Sequence, residues 1–372
     1  MLHRRMRPDP AAGSIGADFG TIQTMRNSPR RKITLADVAR GCGVSRATVS
    51  LVLQRSPLVH ADTRARVERE IARQGYVYNR AAANLRRRTS SCVALVVNDL
   101  SNPFFAEFAA GVDEALGAEG CVTLLGSTGE SAERQRAVLA SLIEHAPAGI
   151  ILSPAEGSDG AGIARIVGAH TPVLVFNREL PSGDWDLLVL DNRHGAQLAT
   201  EHLLGLGHRR IAFFGGHRDS SSCRARREGY AAAMAAAGIA VEPQWLVETA
   251  PTRLEAARQV DALFVRDPAP TAAVCYNDAV ALGLALGLAA RGRRPGRDFA
   301  VVGFDDIPEA AVSLPPLTTV AADPRARGRQ AAARILERAR DPRLPIARTV
   351  APVRLVVRES ACPPPAFRGT SR

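Results

Sequence analysis

Hydrophobic positions change their spacing partway along this chain. Between Thr34 and Gly75 they recur at helical intervals. Leu35, Val38 and Ala39 share the inner face of a first helix, about Leu35–Gly41, with Thr34 as its N-cap. After a break at Gly43, Ser45 caps a second helix from Arg46 to about Gln54, with Val49, Val52 and Leu53 turned inward. A third helix spans about Ala61–Gln74, with Asp62 near its cap, Val67, Ile71 and Ala72 facing in, and Gly75 as its end. The next segment, Asn79–Arg88, has good helix formers but one large apolar residue, Leu85. It cannot bury enough surface to hold a helix alone and is expected to stay disordered until a partner orders it.

From Cys92 the pattern becomes short continuous apolar runs separated by helical stretches. CVALVVNDL, CVTLLGST, GIILSP and PVLVFN read as strands, with helices at about Phe104–Gly117 and Ala132–His145. A second set follows: LLVLDN, helix Gly195–Leu206, IAFFGG, helix Cys223–Ala237, TAAVCYND, helix Ala279–Ala290 and FAVVGFDD. This βα alternation predicts parallel sheets covered by helices on both faces, in two tandem units with a cleft between them. The fold class expected is an all-α helix-turn-helix head joined to a two-lobed α/β body.

Charge separates the two parts. The chain carries a formal +11, and residues 30–89 hold 14 Lys and Arg against 4 Asp and Glu. A basic head on a near-neutral body is the footprint of a nucleic-acid binder with a second, different domain. A helix pair with a tight Gly-containing turn can place its second helix in the major groove. On that helix Arg46, Ala47, Ser50 and Leu51 point outward. Arg46 suits a bidentate contact to guanine, and Ala47 offers a methyl surface. The hydroxyls of Ser45, Thr48 and Ser50 suit phosphate oxygens, although Ser45 also serves as a cap and Thr48 as packing.

In open parallel sheets ligands bind beyond the carboxyl ends of the strands. Those ends carry Asn98, Asp99 and Asn102, then Asn177 and Arg178, then Asn277 and Asp278, then Asp305 and Asp306; Arg226 lies early in the helix after IAFFGG. The mixture of amide, carboxylate and guanidinium suits a polyhydroxylated ligand, and Phe104 and Phe105 can stack on its apolar face. Helix capping and core packing are the competing explanations for these residues.

The motifs TLADVA, GVSRATVS, TRARVEREIARQGYVYN and NRAAANL resemble the head and hinge of the LacI/GalR family of bacterial repressors, and the resemblance extends over about residues 32–360. It implies that Arg46 and Ala47 occupy the base-reading positions, with Thr34, Ser45, Thr48, Ser50 and Asn79 as further DNA contacts. It also implies that Asn79–Arg88 becomes a hinge helix only on operator DNA, where Leu85 wedges into the minor groove. SNPFF, FNR, CYND and GFDD look like ligand-contact motifs of the periplasmic-binding-protein fold. The residues carried over are Asn102, Phe104, Phe105, Asn177, Arg178, Arg226, Asn277, Asp278 and Asp305. Ala322 departs from the pattern, standing where family members often carry Gln.

The organisation expected is a disordered extension over 1–30, the head over 31–78, the hinge over 79–89 and the body over 90–361. Lobe one takes about 90–190 and 321–349, lobe two about 191–320 and 350–361, and 362–372 is a disordered tail. The chain is expected to cross between lobes near Leu190, Val320 and Val350. A homodimer is implied, because no heptads follow Glu359 to build a larger assembly. Met25 is a candidate translation start. The six cysteines lack metal-like or C-x-x-C spacing, so free thiols in a reducing cytoplasm are expected, with no metal and no cofactor. No long apolar run suggests a membrane span. There is no G-x-S-x-G, P-loop or strand-linked G-x-G-x-x-G, which argues against an enzyme. A transport-type sugar-binding protein would share the body but have no use for residues 32–88. The expected partners are operator DNA, a small sugar or sugar acid, and a second copy of the chain.

Overall fold

The computed structural model describes residues 33–53, 56–77, 90–181, 183–265 and 267–364. Two compact units divide the chain, Met1–Asn79 and Arg80–Arg372. The expectations for residues 1–30, for Asn79, Leu85 and the 79–89 segment, and for the tail beyond 364 lie outside the described residues.

Three helices form the head: α1 (Leu35–Cys42), α2 (Arg46–Leu53) and α3 (Ala61–Gln74). Thr34 and Asp37 cap α1 reciprocally. The Asp37 N–H donates to the Thr34 hydroxyl at 3.3 Å, and the Thr34 N–H donates to the Asp37 carboxylate at 2.9 Å. Gly43 ends the helix at φ 64°, a left-handed conformation that glycine adopts without strain. Val38, Val49 and Val67, one from each helix, are fully buried and meet in a single small core. Asp62 lies in the first turn of α3, as expected. The cap atom of α3 belongs to His60, whose Nδ1 accepts the Asp62 N–H at 3.4 Å. One expectation needs correction: Ala72 is exposed rather than facing in, because it lies a helical step off the Val67–Ile71 stripe.

The body begins with β1 (Cys92–Val97), α4 (Pro103–Ala118), β2 (Val122–Ser127), α5 (Ala132–Ile143), β3 (Ile150–Leu152), α6 (Gly160–Val167), β4 (Val173–Phe176) and β5 (Asp186–Leu190). The second lobe follows with α7 (Asn192–Gly205), β6 (Ile211–Phe214), α8 (Ser221–Ala236), β7 (Leu246–Val247), α9 (Arg253–Arg258), β8 (Ala272–Cys275), α10 (Asp278–Ala290), β9 (Ala300–Asp305), α11 (Pro308–Val312) and β10 (Thr318–Ala321). The last elements are α12 (Pro324–Arg340), β11 (Arg348–Ala351) and β12 (Arg354–Val356). One sheet has the order β2-β1-β3-β4-β5-β11 and the other β7-β6-β8-β9-β10-β12, so the lobes repeat one plan. Among the described strands all pairings are parallel except β10 with β12.

The three interlobe crossings therefore fall after Leu190, after Ala321 and after Ala351. The last shifts the expected boundary slightly, because Val350 and Ala351 still pair with β5 of lobe one. Cys362, expected in the disordered tail, is instead placed against the second lobe: its carbonyl is 2.7 Å from Nε2 of buried His208.

Helices α4 and α12 cross with their backbones almost touching. A Cβ on Gly111 would sit 2.0 Å from the Arg325 carbonyl oxygen, and one on Gly328 would sit 2.1 Å from that of Phe108. The crossing fixes the returning helix to lobe one, where Ala331, Ala332 and Ile335 are fully buried. Asp186 reinforces the junction, accepting from Arg334 and Arg338 at 2.9 Å each and from the Ala347 N–H at 2.8 Å.

Candidate functional site

On the head, Arg46 and Ala47 are exposed on the first turn of α2, and Ser50 and Leu51 are half-buried. The Ser45 hydroxyl accepts the Thr48 N–H at 3.0 Å and lies 3.0 Å from the Thr48 hydroxyl. The Thr34 hydroxyl donates to Asp37 at 2.6 Å. These hydroxyls thus stabilise helix ends, and that role places them beside the exposed face of α2.

In the body, the carboxyl ends of both sheets open on a cavity of about 250 Å³. Lobe one contributes Asp99, Asn102, Phe104 and Phe105 after β1, Gly129 and Glu130 after β2, and Asn177 and Arg178 after β4. Lobe two contributes His217 after β6, Arg226 of α8, Ala250–Thr252 after β7, Tyr276 and Asn277 after β8, and Asp305 at the end of β9. Eight of the nine residues singled out from the sequence line this cavity. Asp278 does not. As the first residue of α10 it is fully buried, and its carboxylate turns away to accept the Ile307 N–H at 2.9 Å and the Thr319 hydroxyl. Asp306 is likewise elsewhere, paired with Arg358 at 2.7 Å.

Two amides serve both structure and site. The side-chain carbonyl of Asn102 caps α4 by accepting the Phe104 N–H at 3.0 Å, and that of Asn277 caps α10 by accepting from Val280 at 2.9 Å. Each keeps its NH2 group for another acceptor. Phe104 and Phe105 meet edge to face with centroids 5.2 Å apart.

Arg226 is held from three sides. Its Nε donates to Asn192 at 2.8 Å, one terminal nitrogen donates to the Tyr276 carbonyl, and the guanidinium lies 3.6 Å over the Phe304 ring. Its other terminal nitrogen is 3.8 Å from Asp305. Asp305 is buried, and among the described residues its carboxylate accepts no hydrogen bond. Across the cleft Arg178 binds Glu130 through both terminal nitrogens, at 2.7 and 2.8 Å. Glu130, Asn177 and Asp305 have φ of 62°, 69° and 124°. Such left-handed backbone in non-glycine residues is costly and gathers where a site must be shaped.

Burial pushes the Asp305 carboxyl from 3.8 up to about 7, against the opposing pull of Arg226. A carboxyl raised in the fold stabilises it in acid and withdraws that contribution as pH rises through about 7. The full rise corresponds to roughly 4 kcal/mol at most. Asp305→Asn is therefore expected to gain on the unsubstituted protein in melting temperature as pH rises from about 4 to about 7, and to hold that lead at about pH 8. Parallel melting curves across that range would remove Asp305 as the titrating group.

Sequence reasoning missed Glu130, Tyr276, His217 and Thr252 as lining residues. Glu130 and Tyr276 directly follow or flank strand ends already recognised, so extending the strand-end reading by one turn would have reached them. Among the described residues no cluster of metal-ligating side chains occurs, and no helix is long and apolar enough to cross a membrane.

Comparison with known proteins places both parts. Residues 34–79 match the family model described as bacterial regulatory proteins, lacI family, and residues 200–361 match the periplasmic binding protein-like domain. The chain is 36% identical to the maltose regulon regulatory protein MalI of Escherichia coli (strain K12), over 77% of this chain and 83% of that protein. It is 32% identical to the HTH-type transcriptional repressor PurR of Vibrio cholerae, over 83% and 92% of the two chains. Among solved structures, the lac repressor dimer bound to operator and the anti-inducer ONPF superposes with a TM-score of 0.78 at 26% identity, covering 89% of this chain and 100% of that one. The complex of the transcriptional regulator CelR with cellobiose superposes with a TM-score of 0.66 at 31% identity, covering 88% and 99%. With a DNA-reading helix pair on one unit, a ligand-sized cleft in the other, and full-length regulators as relatives, the chain belongs to the LacI family of bacterial regulatory proteins.

Proposed function

We propose that this protein represses transcription by binding a two-fold operator as a homodimer, and that a small polyhydroxylated ligand in the cleft sets its affinity for DNA. The observation that carries the reading is the exposed Arg46–Ala47 pair on a helix of a lacI-family head, in a chain whose body holds a polar cleft. Support comes from the lac repressor, solved as a dimer on operator, and from CelR, solved with cellobiose. The protein acts as a regulator in the bacterial cytoplasm, not as an enzyme.

Arg46 reads a guanine, Ala47 tolerates or contacts a thymine methyl, and Thr34, Ser45, Thr48 and Ser50 face phosphates. Asn79 is a further DNA contact, and Leu85 acts at the operator centre as the family resemblance implies, kinking the duplex. In the cleft, Asn102, Asn177, Arg178, Arg226, Asn277 and Asp305 bind ligand polar groups and Phe104 and Phe105 its apolar face. The ligand changes DNA affinity by no more than its differential affinity for the two lobe arrangements, typically about 1–3 kcal/mol.

The test is selection of a preferred duplex from a random pool, followed by binding at several salt concentrations. Specific, palindromic and salt-dependent binding is expected. Arg46→Ala should lose about 1–3 kcal/mol at one base pair per half-site while keeping non-specific binding. An unchanged base preference would take Arg46 out of the reading position.

A further inference from the structure

We infer that the cleft takes an uncharged polyhydroxylated ligand, and that Glu130, by closing on both terminal nitrogens of Arg178, excludes carboxylated and phosphorylated ones. The inference rests on the reading of the cleft as the effector site and names the class of ligand.

An anion buried in so small a cavity needs a cation with donors to spare, because an unpaired buried charge is strongly disfavoured. Two guanidiniums line the cavity, and each already faces a carboxyl group of the protein. Arg178 spends its terminal nitrogens on Glu130, and one of them also approaches the Pro154 carbonyl at 3.3 Å. Glu130 is itself held, accepting from the Asn98 amide at 3.0 Å. The Nε of Arg178 is buried without a partner among the described residues, a single donor suited to a neutral oxygen. Arg226 directs two nitrogens at Asn192 and Tyr276 and turns the third toward Asp305.

The carboxylates of Asp99 and Glu130 already offset these two guanidiniums, and Asp305 adds a third carboxyl group to the lining. An added anion would therefore enter a site with no positive excess. What remains for a ligand is an acceptor on Asp305, NH2 donors on Asn102 and Asn277, and the faces of two phenylalanines. That set complements hydroxyls arranged around an apolar ring face.

The test uses the full-length protein and calorimetry against two groups of probes at matched ionic strength. The neutral group is D-glucose, D-ribose, maltose and cellobiose; the acidic group is D-gluconate, D-glucuronate and D-glucose 6-phosphate. The unsubstituted protein is expected to bind no acid. Glu130→Gln keeps the shape of the side chain and frees the charge of Arg178, so it should bind at least one acid ten times or more tighter than the unsubstituted protein does. Glu130→Gly is the second variant, since glycine accepts the φ of 62° at this position without strain; it should gain acid binding too. Gain in either variant, with none in the unsubstituted protein, supports the inference whichever neutral probe fits best. Acid binding by the unsubstituted protein, or no gain in both folded variants, overturns it. Failure of the regulatory reading looks different: a ligand bound by calorimetry would leave operator affinity unmoved.

Discussion

Alanine at Gly111 will destabilise the body by about 3 kcal/mol, whereas alanine at Gly117 on the same helix will stabilise it by about 0.5–1 kcal/mol. At Gly111 the new methyl meets the Arg325 carbonyl oxygen at 2.0 Å. That atom belongs to the backbone of α12 and cannot rotate aside, so the two helices must part. Parting them exposes apolar residues on α12, among them Ile335, and loosens the segment that returns to lobe one from lobe two. At Gly117 nothing lies within 4 Å, and only the better helix propensity of alanine remains. The urea midpoint of the body transition measures both. If the two variants move the same way, the close crossing is not what holds these helices.

Arg226→Ala will weaken ligand binding by about 3 kcal/mol, on the order of a hundredfold, and abolish ligand control while leaving operator binding intact. The side chain is 3% exposed and connects α7, through Asn192, to the backbone after β8 and to the Phe304 ring. Removing it leaves Asp305 buried without its nearest cation and frees the Asn192 and Tyr276 oxygens it now satisfies. Lysine will not rescue the variant. One ammonium cannot reach Asn192 and Tyr276 while also lying flat on a ring. Calorimetry on the variant and mobility shifts with and without ligand measure the two halves of the prediction. A retained response would remove Arg226 from the site.

Much of this was legible in the chain. The helical stripe of Leu35, Val38 and Ala39 and the buried run at Cys92–Val97 each have one arrangement that buries them, so their elements could be placed from spacing alone. Strand ends located most of the cleft because a parallel sheet always brings those ends to one edge. Asp278 misled because two adjacent polar residues, Asn277 and Asp278, follow the same strand and only one can face outward. Its carboxylate went to Ile307 and Thr319, partners supplied by later elements. Glu130 stayed hidden for a related reason: its importance comes from Arg178, which lies beyond two further strands, and from a backbone conformation that a glutamate does not announce. β7 and β12 are too short to carry a periodic signal.

The three crossings between lobes also order events during synthesis. Lobe one starts the body but lacks α12 and β11 until residues after 321 have been made, and lobe two waits for β12 at Arg354–Val356. A ribosome that has reached Val320 therefore carries a first lobe whose apolar helix face is still uncovered. Neither sheet has its full set of strands until β11 and β12 have been made. The sheet whose first strand is made earliest is thus among the last parts of the body to be completed.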